Sequence, residues 1–224
     1  MDNQLIDASV EGNLSKVKEL LSAPLGGRGA DPNSKDIDNY NALYWAAHYN
    51  HPDVISELIL NGADPNILNP RGVTALYNAV YMGNLAAVEE LFKHPNVNPN
   101  ISDIRGETPL IRACTFRFLT IVKVLLSNGA DPNITNHKAK SALHYACWYG
   151  YLEIVNELLL FGADPTLGNG NRTPVHLAMF HQHGEITKTL NEYFPSLLML
   201  SVRRIRQYKI DVSTIPEMLS ALCL

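Results

Sequence analysis

Cysteine is scarce in this chain: Cys114, Cys147 and Cys223 are three in 224 residues, and no spacing pairs them. A disulfide framework is excluded and a reducing compartment is expected. No apolar run approaches the roughly 18–20 residues that span a bilayer. The start, Met1-Asp2-Asn3-Gln4, lacks the basic-then-apolar plan of a secretory signal. Charge of one sign is also lacking: a net charge of −4 gives no global attraction to nucleic acid or anionic membrane. These absences predict a protein of the cytoplasm or the nucleus that binds neither. Catalytic patterns are missing too. Gly26-Gly27-Arg28-Gly29 has no strand before it, no helix after it and no phosphate-binding lysine. His181 and His183 do not share one helical face, and no further Cys or His completes a metal site. No enzyme, cofactor or metal is expected.

What the chain does contain is a recurring stop signal. Gly29-Ala30-Asp31-Pro32-Asn33 returns intact as Gly62-Ala63-Asp64-Pro65-Asn66 and Gly129-Ala130-Asp131-Pro132-Asn133. Worn copies stand at Gly162-Ala163-Asp164-Pro165-Thr166 and Val97-Asn98-Pro99-Asn100. Glycine supplies the left-handed residue that ends a helix, and Asp-Pro-Asn then turns the chain away. Five such stops define a repeat array.

The units align on Leu43, Leu76, Leu110, Leu143 and Val175, separated by 33, 34, 33 and 32 residues. Three places later stand Ala46, Ala79, Ala113, Ala146 and Ala178, small enough to let neighbouring helices pack closely. Two places before the leucine come Asn41, Thr74, Thr108, Ser141 and Thr173, each able to accept from the free N–H groups of a helix start. A second helix follows, as in Ile121-Val122-Lys123-Val124-Leu125-Leu126, with one apolar face of period near 3.6. Each unit is a helix–turn–helix that can bury that face only against its neighbours.

Thr108-Pro109-Leu110 and Thr173-Pro174-Val175-His176-Leu177-Ala178 resemble the Thr-Pro-Leu-His-x-Ala signature of ankyrin repeats. The resemblance covers roughly residues 4–193 as six units. It implies an all-α solenoid, a curved stack of helix pairs with hairpin turns projecting to one side. Local departures are an enlarged first loop at Ala23 to Arg28, His94-Pro95-Asn96 in place of a helix-ending glycine, and Arg117 and Gln182 where Gly83 and Gly150 stand elsewhere. These changes are expected to distort single loops. Asn66 and Asn133, eight residues after Leu58 and Leu125, also resemble the sites of an asparaginyl hydroxylase.

After Glu192 the pattern stops, which divides the chain into a repeat domain (1–193) and a C-terminal module (194–224). The module reads as a proline break and two amphipathic helices, with Leu197, Leu198, Ser201, Val202 and Ile205 along one side of the first. It resembles a SOCS box: Ser196-Leu197 and Ile205 match in position, Arg206 follows, Ser201 stands where cysteine is typical, and Ile215-Pro216-Glu217-Met218-Leu219 and Leu222 remain of the second half. The resemblance implies that Leu197, Ser201 and Ile205 bind elongin C of the elongin B/C pair. It also implies that Ile215, Pro216, Leu219 and Leu222 face a cullin scaffold, which makes the protein a substrate adaptor of a ubiquitin ligase. The alternatives are a plain ankyrin interaction scaffold whose C-terminal helices cap the last repeat, and an F-box-like tail, for which Phe194-Pro195 is a poor match.

His144 and His176 read as structural hydrogen-bonders, and Cys114 and Cys147 as buried small hydrophobes. Arg203, Arg204, Arg206 and Lys209 read as a solvated helix face. The turn residues ahead of each cap and the residues after the packed alanines fall on the inner curve. They include Tyr40, His48, Tyr49, Arg71, Tyr81, Met82, Arg105, Phe116, Lys138, Trp148 and Tyr149. Tyr, Trp and Arg there are the residue types that anchor protein interfaces, so these are the candidate target-binding residues. Half of the rings are expected to pack between inner helices instead.

Overall fold

The computed structural model describes residues 1–22, 29–168 and 172–193. Residues 23–28, where an enlarged loop is expected, residues 169–171 and the C-terminal module, with Leu197, Ser201, Ile205, Ile215, Pro216, Leu219 and Leu222, lie outside the described residues.

Among the described residues, twelve helices form six consecutive pairs: α1 (Asp2–Glu11) with α2 (Leu14–Leu21), α3 (Ala42–His48) with α4 (Pro52–Leu60), α5 (Ala75–Met82) with α6 (Leu85–Phe92), α7 (Pro109–Thr115) with α8 (Leu119–Ser127), α9 (Ala142–Tyr149) with α10 (Leu152–Leu160), and α11 (Pro174–Phe180) with α12 (184–193). Odd-numbered helices pack on one another as an inner layer, and α2 to α10 stack behind them as an outer layer. There is no strand among the described residues, only an isolated bridge from Lys35 to Asn41.

The inner helices begin where the caps predict. Asn41, Thr74, Thr108 and Thr173 accept from the backbone N–H of Tyr44, Tyr77, Ile111 and His176. Pro109 and Pro174 occupy the first helical turn, where no N–H is required. The aligned alanines are fully buried between inner helices, and Leu43, Leu76, Leu110 and Leu143 are at most 1% exposed. Each such leucine contributes about 1.5–3 kcal/mol by leaving water. Val175, in the last unit, is only half-buried.

Between the two helices of each unit the chain reverses through one left-handed residue: Gly12, Asn50, Gly83, Arg117, Gly150 and Gln182, with φ from 60° to 79°. The expected distortion at Arg117 and Gln182 does not occur. Phe118 and His183 donate to the carbonyls of Ala113 and Ala178 at 2.9 Å, as Asn84 and Tyr151 donate to Ala79 and Ala146 in the glycine-bearing units. The closed backbone bond offsets part of the roughly 1–2 kcal/mol that left-handed backbone costs a residue with a Cβ. At His94-Pro95-Asn96 the helix does end differently. Gly62, Gly129 and Gly162 are left-handed, but no residue from Lys93 to Asn98 is.

The Asp-Pro-Asn turns are joined by a ladder of asparagine amides. Asn33 donates to Gly62 O at 2.9 Å and accepts from Asp64 N–H at 2.8 Å. Asn66, Asn100 and Asn133 repeat both bonds with the next turn along, at 2.7–3.2 Å. The ladder therefore survives the altered helix end in the third unit. It also engages the amides of Asn66 and Asn133, the two residues that resemble hydroxylation sites.

Candidate protein-binding surface

Ahead of each inner helix, from the second unit to the fifth, a hairpin is built on one acidic or amide side chain. Asp36, Asn69, Asp103 and Asn136 each accept two backbone N–H bonds through Oδ1, from the residues two and four places on. This fixes the hairpin and places Arg71, Arg105 and Lys138 two residues beyond the anchor, exposed. Tyr40 belongs to a different register, that of Val73, Glu107 and Lys140. It is half-buried, with its ring 4.6 Å from Tyr44 and 5.4 Å from Trp45. The four anchors recur at 33, 34 and 33 residues, a further periodic signal in the sequence beside the caps and the packed alanines.

Two of the hollows formed by the described residues lie on the inner face. The first, about 530 Å³, brings together His48, Arg71, Tyr81, Met82 and Arg105 of the candidate residues. Beneath them lies a polar network that periodicity did not reveal. Tyr77 Oη donates to Asp103 Oδ2 at 2.9 Å and accepts from Arg112 Nε at 2.6 Å. The Arg112 guanidinium also forms ion pairs with Glu107 and, at 3.7 Å, with Asp103. Glu107 in turn accepts from Asn136 and Tyr145 at 3.4 and 3.5 Å, so the network links three successive units. Burial opposes ionisation of Asp103, but the N–H groups of Glu107 and Arg105 and the Tyr77 hydroxyl outweigh it and hold the carboxyl below its ordinary range. Burial, then the neighbouring Tyr40, pushes the Tyr44 hydroxyl up to about 12.

The second hollow, about 860 Å³, contains Lys138 and Trp148 of the candidates, and adds Lys140, Arg172, His176, Leu177 and Phe180. Lys140 Nζ stands 4.5 Å from the Trp148 ring centroid and 5.7 Å from that of Tyr145. Phe180, 78% exposed, follows Ala178 by the same two places as Trp148 follows Ala146, and it had not been singled out. Of the other candidates, Phe116 meets Tyr81 edge-on at 5.5 Å, joining two units, while Tyr49 and Tyr149 stack on His51 and Tyr151 at the outer rim. Tyr49, Tyr81, Phe116, Trp148 and Tyr149 are all exposed. Tyr40 and His48 are the half-buried candidate rings; His48 packs on Tyr44 and Trp45 and meets Asn78 Nδ2 at 3.1 Å.

Cys114, Cys147, His176 and His144 make contacts within the repeat framework. Cys114 and Cys147 are fully buried, and burial pushes both thiols well above their ordinary range. His176 is exposed and bonded to its own cap through Thr173 Oγ1 at 2.7 Å. His144 is 1% exposed, and the backbone N–H of Ser141 donates to its Nδ1 at 3.1 Å. Nδ1 is therefore the unprotonated nitrogen, and the Ser141 hydroxyl, 2.9 Å away, donates to it as well. Ser141 and His144 thus form a reciprocal capping box, and Thr173 makes a similar side-chain contact to His176. Burial pushes the His144 pKa down to about 4, below the ordinary value of 6.5. The unfolded chain then binds the proton more readily, so stability is complete above pH 6.5 and falls as pH drops toward 4. Between pH 7 and 5.5 this group is expected to remove about 1 kcal/mol. His144→Asn, which keeps an acceptor and does not titrate, should flatten that slope in urea unfolding; an unchanged slope would show that the ring is solvated.

Among the described residues no cluster of three or more His, Cys, Asp or Glu could hold a metal ion, and no helix is long and apolar enough to cross a membrane. The family model for ankyrin repeats (3 copies) matches residues 5–103, 50–136, 94–169 and 128–197. The chain belongs to the ankyrin-repeat family. It is 35% identical over 126 residues to an ankyrin repeat domain-containing protein of Stachybotrys chartarum, covering 56% of this chain and 6% of that one. It is 30% identical over 128 residues to a putative palmitoyltransferase of Danio rerio, covering 57% of this chain and 19% of that one. The matched segment is thus a small part of these relatives' length. A solved ankyrin repeat domain from Acinetobacter baumannii superposes with a TM-score of 0.77 at 26% identity, over 84% of this chain and 96% of that one.

Proposed function

We propose that this protein is a non-catalytic scaffold that holds a partner protein along its inner helices and hairpins. The observation that carries the reading is the row of exposed rings at the C-terminal ends of successive inner helices, two or three places after the packed alanine: Tyr49, Tyr81, Phe116 and Trp148. The stack does not need these rings for its own burial, and Tyr and Trp are the residue types that anchor interfaces at low entropic cost. A photo-crosslinking side chain placed at Tyr81 or Phe116 is expected to capture the same partner. The same probe at Glu89, exposed on the outer helix α6, should capture none. Capture from Glu89 alone would move the binding surface to the other side of the stack.

A second reading rests on residues 194–224. The eight-residue spacing of Leu197 and Ile205, with Ser196 before and Arg206 after, favours an elongin-binding helix and a substrate-adaptor role in a cullin ubiquitin ligase of the cytoplasm or nucleus. Leu197, Ser201 and Ile205 would face elongin C, and Ile215, Pro216, Leu219 and Leu222 a cullin. A buried Ser201 hydroxyl can return its proton to the Leu197 carbonyl, which makes it a tolerable replacement for cysteine. The full chain co-expressed with elongin B and C should co-elute with them, and Leu197→Asp with Ile205→Asp should not. Failure of the unaltered chain to co-elute removes this reading and leaves the scaffold.

A further inference from the structure

The two hollows of the inner face differ in charge. In the first, Arg105 and Arg112 are matched by Asp103 and Glu107 within the same network, which leaves one lining arginine, Arg71, outside the ion pairs. In the second, Lys138, Lys140 and Arg172 stand together, and no described Asp or Glu forms an ion pair with any of them or lines the hollow. This basic pocket sits on a chain whose net charge is −4, so the local sign opposes the global one. Lys140 is also positioned in advance, held over the faces of Trp148 and Tyr145. Burial, with Lys138 and Arg172 nearby, disfavours its charged form and lowers its pKa. An incoming carboxylate would relieve that repulsion. Around the cations lies apolar surface from Trp148, Leu177 and Phe180.

We propose that the second hollow seats an acidic segment of a partner protein, with carboxylates against Lys138, Lys140 and Arg172 and an apolar side chain between Trp148 and Phe180. This rests on the scaffold reading and names the chemistry of the partner at one part of that surface. The carboxylates supply register and selectivity, and the buried apolar residue supplies most of the affinity. The chain's own residues 194–224 are a poor match for the same hollow, since they carry Arg203, Arg204, Arg206 and Lys209 against Asp211 and Glu217 alone.

The test is selection of a random dodecapeptide display library on the full chain, beside a Lys140→Glu/Arg172→Glu variant and a Trp148→Ala variant. The unaltered chain is expected to enrich peptides with two or more Asp or Glu flanking an aromatic or aliphatic residue. Synthetic copies of those peptides should bind the charge-reversed variant at least tenfold more weakly, and should lose affinity as salt rises from 50 to 500 mM. Matching circular dichroism and melting curves would show that both variants are folded. Enrichment of neutral or basic peptides, equal binding to the charge-reversed variant, or no enrichment at all would overturn the inference. Neutral peptides that still depend on Trp148 would overturn it while leaving the scaffold reading standing. Self-association of the unaltered chain, abolished by the charge reversal, would make the occupant a second copy and also overturn it.

Discussion

Arg112→Ala is expected to lower stability by about 2–3 kcal/mol, among the larger losses available to a single polar substitution here. Arg112 is 12% exposed, and the two carboxylates it faces, on Asp103 and Glu107, are 6% and 13% exposed. Asp103 keeps two backbone N–H bonds and the Tyr77 hydroxyl when the guanidinium is gone. Glu107 keeps only the long bonds from Asn136 and Tyr145 and an ion pair at 3.7 Å with Arg105, whose side chain is 63% exposed. The loss therefore falls mainly on Glu107, and the exposed Arg105 places it below the 3–5 kcal/mol typical of a stranded buried charge. Removing both charges, as Arg112→Met with Glu107→Gln, should recover at least half of the loss, because no buried charge is then unpaired. Urea unfolding of the single and double variants gives the coupling directly. A loss below about 1 kcal/mol for Arg112→Ala would mean that water already reaches the network.

Gly150→Ala should cost about 2–3 kcal/mol, and Gly162→Ala only about 1 kcal/mol, although their backbones are almost the same, at φ 79° and 82°. Both variants force a side chain into the left-handed region, so that part of the cost is shared. The neighbours differ. A Cβ on Gly150 would lie 2.5 Å from the His183 ring, whereas one on Gly162 would meet nothing within 4 Å. His183 is tied down by a contact of 3.2 Å from Nε2 to Trp148 O, so displacing the ring forfeits a hydrogen bond. Adding His183→Ala to Gly150→Ala should remove the extra cost of the clash. Equal melting losses for Gly150→Ala and Gly162→Ala would show that the ring swings aside freely.

The His183 contact is one instance of a rule that runs along the stack. Wherever the left-handed residue between paired helices is glycine, a ring from the next unit presses on it: His51 on Gly12, Phe118 on Gly83 and His183 on Gly150. Where that residue has a side chain, the neighbour adapts. Asn50 Oδ1 accepts from Ala87 N–H at 3.1 Å, and the Arg117 guanidinium lies 5.3 Å over Tyr151. Glycine there serves the next unit as well as its own turn.

Much of this was legible in the residues. Period, caps, packed alanines and the two-helix unit all follow from relations within about four residues, repeated every 32 to 34. The same period placed His48, Arg71, Tyr81, Met82, Arg105, Phe116, Lys138 and Trp148 on one face, because equivalent positions of a stack must share a side. What only the tertiary structure decided is which side chain of one unit reaches which atom of the next. The Tyr77–Asp103–Arg112–Glu107 network, the asparagine ladder, the rings on Gly12, Gly83 and Gly150, and the unbalanced charge of the second hollow all join residues of different units. Their existence depends on the offset between stacked helices and on hairpin height, which close packing of the alanines sets and no local pattern records.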